Sequence, residues 1–92
     1  MAPADRPRLA AKVRLRADPR GDAHLLLWPE HGLALNATAL DVVRLCDGAR
    51  SVDAIVATLA CRHPADARAA IARDVVAFLD RLAARGLLVT AP

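Results

Sequence analysis

Residues 28–48, WPEHGLALNATALDVVRLCDG, leave the chain little freedom, because a short apolar strand there runs straight into a capped helix. Gly32-Leu33-Ala34-Leu35 is too short and too apolar for a free loop. Asn36 follows it where a side-chain oxygen can accept from a helix's first orphan amides. The strand must therefore lie against the helix that it feeds. Cys46-Asp47-Gly48 closes that helix, the glycine being free to take the left-handed conformation that serves the last carbonyls.

Upstream, Lys12-Val13-Arg14-Leu15-Arg16 alternates with period two, so a half-buried strand is expected over 12–16. Asp18-Pro19-Arg20-Gly21 has the residues of a turn, with proline presetting the second position and glycine suiting the fourth. His24-Leu25-Leu26-Leu27-Trp28 is apolar on both faces and reads as a central strand over 24–28, which Pro29 ends for want of a ladder donor. After a reversal at Glu30-His31-Gly32, a strand over 32–35 completes an antiparallel meander and, lying last, is an edge. Residues 1–8, with Pro3 and Pro7 and no periodicity, are expected to form a flexible arm that frays or crosses to another molecule, leaving one domain over 9–92.

Three helices follow. The first, over about 37–46, turns Leu40, Val43 and Cys46 inward. The second, over about 52–62, is capped by Ser51 and carries Val52, Ile55, Val56 and Leu59 at i, i+3, i+4 and i+7. Pro64 stops it. A long third helix over about 66–85 is expected to be capped by Asp66 and stopped by Gly86, with Leu87 packing back on its last turn and 87–89 ending as an apolar tail or short strand. Its apolar positions exceed one stripe: Ile71, Val75, Phe78, Leu79 and Leu82 make the first row, and Ala69, Ala72, Val76 and Ala83 make a second that could floor a groove. Three strands and then three helices make an α+β domain with the arrangement of a winged helix.

The candidates for chemistry are few. Ser51 is the only serine and serves as a cap, no paired acids emerge, and each of the four glycines explains itself as a turn or a cap. Cys46 and Cys61 match no metal or redox spacing and read as buried thiols. Zinc on Cys61 and His63 with a distant His24 or His31 would lack a fourth ligand. No enzyme activity, metal or cofactor is expected. No apolar run approaches the roughly 20 residues of a membrane span, and 1–12 lacks the core of a signal peptide, so the cytoplasm is the expected location. The net charge of +3 raises the alternative of a winged-helix DNA binder, with the third helix in the major groove. That helix opens with alanines and two arginines but no Asn, Gln, Ser or Thr to address base edges, which weighs against it.

Five spaced elements carry a resemblance. They are Leu27-x-Pro29-Glu30, Leu35-Asn36-x-Thr38-Ala39, Leu45-x-Asp47-Gly48, Val52-x-x-Ile55 and Asp74-Val75-Val76-x-Phe78-Leu79. In this order the chain resembles the PqqD family of pyrroloquinoline quinone biosynthesis, although members often carry Glu at the place of Ala37. The resemblance implies a non-catalytic peptide chaperone, the founding type of a recognition domain for ribosomally made, modified peptides. Its partners would be the precursor peptide PqqA and the radical S-adenosylmethionine enzyme PqqE, which cross-links a glutamate to a tyrosine within PqqA. It further implies that the peptide adds a strand along Leu33, Ala34 and Leu35, with its side chains over Asp74, Val75, Val76 and Phe78. An unpaired edge strand beside an oversized apolar helix face suits strand addition on its own account. Two to four backbone bonds at a net ~1 kcal/mol each would not hold a flexible peptide, so apolar side chains must enter too, for an affinity near micromolar, about 8 kcal/mol. The same open edge makes a homodimer plausible at high concentration or in crystals.

Overall fold

In the computed structural model, which describes residues 1–91, alternation and turn chemistry build the meander first. Strands β2 (Arg14–Ala17), β3 (His24–Trp28) and β4 (His31–Leu35) form an antiparallel sheet in the order β2-β3-β4. The β2–β3 turn closes with the Gly21 N–H on the Asp18 carbonyl at 3.2 Å, and the Asp18 carboxylate accepts from the Arg20 N–H at 2.9 Å. β2 begins later than the alternation suggests because the Val13 N–H is spent on the Ala10 carbonyl at 3.0 Å, in a turn. β4 begins earlier, at His31. Glu30 takes a positive φ of 67°, so Pro29 and Glu30 alone reverse the chain without help from Gly32. Cross-strand rows put Leu15, Leu26 and Leu33 on the inner face.

Side-chain caps start the next two elements. In α1 (Ala37–Leu45) the Asn36 side chain accepts from the Ala39 N–H at 2.8 Å, and in α2 (Val52–Ala60) Ser51 accepts from the Ala54 N–H at 3.1 Å. The long helix differs from expectation at its start. Pro64 leads into a single 3-10 turn, Ala65–Ala67, before α3 (Arg68–Ala84), and Asp66 lies within that turn and caps nothing. The turn closes on backbone alone, Ala67 N–H to Pro64 carbonyl at 3.0 Å. At the far end Gly86, with φ 72°, donates to Ala83 and Leu87 donates to Leu82, both at 3.0 Å, which buries Leu87 fully. The core gathers Leu26, Val42, Ile55, Leu79, Leu82 and Leu87. Val42 replaces Leu40 in it, since Leu40 is only half-buried. Of the two cysteines only Cys46 is a buried thiol, its pKa pushed up to about 12 by burial and then by the Asp47 charge. Cys61 sits exposed at the end of α2, where that helix has already stopped.

The expected flexible arm over 1–8 is instead part of the fold. Strand β1 (Arg6–Leu9) pairs antiparallel with β5 (Leu88–Ala91), from Arg6↔Ala91 to Leu9↔Leu88, and Pro7 is fully buried. Ahead of it the Pro3 and Asp5 carbonyls accept from the Asp53 and Val52 N–H groups at 3.0 and 2.9 Å, occupying orphan donors at the start of α2. The Met1 ammonium meets the Asp80 carboxylate. Proline-rich sequence lacks a period, but its carbonyls still accept, and here they find helix donors and a bend at Gly48. That glycine has φ 80° and donates to the Pro7 carbonyl at 3.0 Å, so it seats β1 and does not return to its own helix. Pro92, included in the expected domain, lies outside the described residues.

Candidate functional site

The open side of β4 is the feature from which the site is built. Within the sheet β4 pairs only with β3, so its far edge carries free backbone groups. Residues 29 and 30 form the closing turn of the hairpin, which makes Trp28↔His31 a hydrogen-bonded pair. Alternation then makes Leu26↔Leu33 and His24↔Leu35 hydrogen-bonded pairs as well, and turns the N–H and C=O groups of Gly32 and Ala34 toward open space. The side chains have the opposite parity, with Leu35 buried and Leu33 half-buried inward, and Ala34 exposed outward.

Opposite this edge lies one flank of α3. Between them is a groove segment of about 400 Å³ bordered by Leu33, Ala34 and Leu35 on the strand and by Phe78, Arg81 and Arg85 on the helix. It continues past Asn36, Ala39 and Phe78 into a second segment of about 320 Å³, with Ile71, Val75 and Leu59 inside and Asp41, Arg62 and Asp74 around its mouth. Asn36, Ala39, Phe78 and Arg81 border both segments, which therefore adjoin one another. At its mouth Arg62 is paired with Asp41 at 3.0 Å, whereas Arg81 lies 5.9 Å over the Phe78 ring. No ion pair among the described residues engages Arg81 or Arg85.

The seven residues expected at the peptide separate into groups. Leu33, Ala34, Leu35 and Phe78 come together around the strand-side segment. Asp74 is exposed and stands at the mouth of the second segment. Val75 borders that segment but is a core residue at 3% exposure, closed to a ligand except at its tip. Val76 belongs elsewhere, because it lies roughly 160° around the helix from Phe78. It joins Ala72, Arg73, Ala77 and Asp80 on the opposite flank, beside the Met1 ammonium on Asp80. The second row of small residues therefore does not floor this groove. Sequence reasoning passed over Arg81, Arg85 and Ala39, although Asp74, Phe78, Arg81 and Arg85 fall at i, i+4, i+7 and i+11 and share one helix face.

Chemically the arrangement offers backbone donors and acceptors along one wall, apolar side chains within and the cations Arg81 and Arg85 on the helix wall. It suits an extended chain. Among the described residues no three His, Cys, Asp or Glu side chains converge as a metal site would require, and no helix is long and apolar enough to cross a membrane.

Residues 23–88 match the profile of the family described as Coenzyme PQQ synthesis protein D (PqqD). The chain is 46% identical over 86 residues to the PqqA binding protein of Rhodopseudomonas palustris strain TIE-1, covering 94% of this chain and 83% of that one. It is 39% identical over 88 residues to the PqqA binding protein of Bradyrhizobium diazoefficiens, covering 96% and 84%. In structure it is similar to the PqqD truncation of Methylobacterium extorquens PqqCD, solved by solution NMR and described as a functional, stand-alone recognition element for ribosomally synthesized and post-translationally modified peptides. The TM-score is 0.78 at 36% identity, over 97% of this chain and 94% of the other.

Proposed function

The chain belongs to the PqqD family, and on that premise we propose that it is a non-catalytic peptide chaperone of pyrroloquinoline quinone biosynthesis. It binds the PqqA precursor as an added strand on β4 and presents it to the radical S-adenosylmethionine enzyme PqqE. The observation that carries this reading is the juxtaposition of an unpaired strand edge with an apolar helix flank across a groove of about 400 Å³. The edge provides sequence-independent backbone bonds at Gly32 and Ala34, while the half-buried Phe78 and Leu33 provide the burial that must offset the ordering of a flexible peptide. The names of the relatives, PqqA binding proteins, support the identity of the peptide.

The peptide sites are Leu33, Ala34, Leu35 and Phe78, with Asp74 and the tip of Val75 reached by whatever part of the peptide continues into the second segment. Val76 is no longer among them. Calorimetric titration of PqqA into the protein tests the binding, with an affinity near micromolar expected, about 8 kcal/mol. Formation of the glutamate–tyrosine cross-link by PqqE tests the presentation, and should slow when this protein is omitted. A heat-free titration would refute the reading at its root. A dimer formed through β4 would occupy the same edge, so added PqqA should shift its sedimentation to that of a monomer.

A further inference from the structure

We infer that the groove reads a carboxylate: the bound peptide sets an apolar side chain against Phe78 and, two residues further toward its C-terminus, an aspartate or glutamate between Arg81 and Arg85. The inference rests on the reading of this groove as the peptide site. Cations in the last turn of a helix need no ligand to account for them, since they face the negative end of its dipole. The location of these two is what distinguishes them. Both border the strand-side segment of the groove, neither is engaged by a carboxylate among the described residues, and the cation at the other mouth, Arg62, is already neutralised by Asp41. Arg81 stands where the two segments adjoin and Arg85 borders the strand-side one alone, so the uncompensated cations lie along that segment.

The spacing fixes the pattern. β4 runs toward α1, and Asn36 and Thr38 border the segment that holds Asp74, so Phe78 lies at the Leu35 end of the groove and Arg85 at the Leu33 end. A peptide antiparallel to β4, the more stable ladder, therefore passes Phe78 first and Arg85 last. Its inward side chains recur every two residues, about 6.8 Å. The rise along α3 from Phe78 to midway between Arg81 and Arg85 is about 7.5 Å. Two consecutive inward positions thus meet the aromatic ring, over which the Arg81 guanidinium lies at 5.9 Å, and then the turn of α3 that carries Arg81 and Arg85. Once the peptide covers the groove, the carboxylate sits between two donors partly withdrawn from water, where a charge pair counts for more than on an open surface.

Titrations with synthetic PqqA at about 50 mM and about 500 mM salt test this. The double variant Arg81→Glu/Arg85→Glu should bind about tenfold or more weakly at low salt, with the gap narrowing at high salt. Arg68→Glu, a reversal on the same helix away from the groove, should stay within about twofold. Arg81→Gln/Arg85→Gln serves if the reversal disturbs folding, and should show a smaller loss with the same salt trend. Among PqqA peptides in which each Asp or Glu in turn becomes Lys, one should regain affinity on the reversed protein. If the double variants bind like the parent at both salts, or no lysine peptide is rescued, while Ala34→Pro abolishes binding, the carboxylate reading is wrong and the peptide site stands. If the parent itself fails to bind PqqA, both fall.

Discussion

The two flanks of α3 look alike in sequence and differ in what faces them. One carries Phe78 and Arg81 and looks across a groove at the unpaired edge of β4. The other carries Ala72, Val76 and Asp80, and the chain's own N-terminus closes on it through the Met1 ammonium. Both have apolar residues at helical spacing. The difference teaches that an apolar row on a helix is not by itself a site; it becomes a candidate where the opposite wall has backbone groups left to bond.

The strongest way to break this comparison is to remove the ridge between the flanks. Leu79 is fully buried and central to the core. Leu79→Asp would force a carboxylate into that core without a partner, and we expect it to unfold the domain, a loss of more than about 4 kcal/mol, seen as the absence of a cooperative thermal transition. A folded Leu79→Asp protein would mean that the helix can roll to present a different face.

Next in size is Ala34→Pro. The Ala34 N–H points to open space, so proline there removes no bond of the sheet and should leave the melting temperature within a few degrees, while a peptide loses one of its backbone partners and meets the ring. Binding should become unmeasurable by calorimetry. Proline at Leu33 or Leu35, whose amides pair with Leu26 and His24, should instead damage the hairpin. The sequence alone left the choice among the three open. The hairpin parity decides it.

How much could be read from the sequence follows from which interactions are local. The caps at Asn36 and Ser51 and the stop at Gly86 depend on residues within a turn or so, and each stands where the sequence put it. The meander was legible because its period and its turns agree. β1 was not, because its partner β5 lies about eighty residues away and neither strand has a period to betray it. The same blindness misread Asp47-Gly48 as a simple helix stop. Gly48 bonds to Pro7, and the Asp47 carboxylate accepts from the Ala49 and Arg50 N–H groups at 2.9 and 3.0 Å, holding the corner on which β1 rests. Of the candidate site, the strand edge was legible and the helix face only half so. A helical wheel gives two flanks, and the N-terminal segment, read as a loose arm, chooses between them.

That choice supplies an intermediate prediction. At Gly48 an added Cβ would sit 3.3 Å from Arg8 Cδ at a φ of 80°, so Gly48→Ala should strain the seat of β1 and cost about 1–2 kcal/mol in denaturant unfolding. PqqA affinity should be unchanged, because the groove flank does not depend on that seat. The ionised Asp47 carboxylate is stabilised first by the backbone N–H groups of Ala49 and Arg50, which lowers its pKa. The corner's contribution is therefore present above the ordinary carboxylate range and is lost as the pH falls through the depressed value. Gly48→Ala should blunt that loss if it loosens the turn.

The smallest expected effect sharpens the comparison most. The sequence reading made Val76 part of the groove floor, so that Val76→Asp would have abolished peptide binding. On the opposite flank Val76 is half-buried beside Ala72, Ala77 and Asp80, and no part of it borders either segment of the groove. A carboxylate there keeps contact with water but adds like charge near Asp80, so a modest stability loss of about 1 kcal/mol is expected. The affinity for PqqA should stay within about twofold of the parent, at low and high salt alike. Phe78→Ala, two residues away but facing β4, should weaken the same titration at least tenfold by emptying the apolar wall of the proposed site. If Val76→Asp proved the more damaging of the two, the peptide would lie on the flank where the Met1 ammonium meets Asp80.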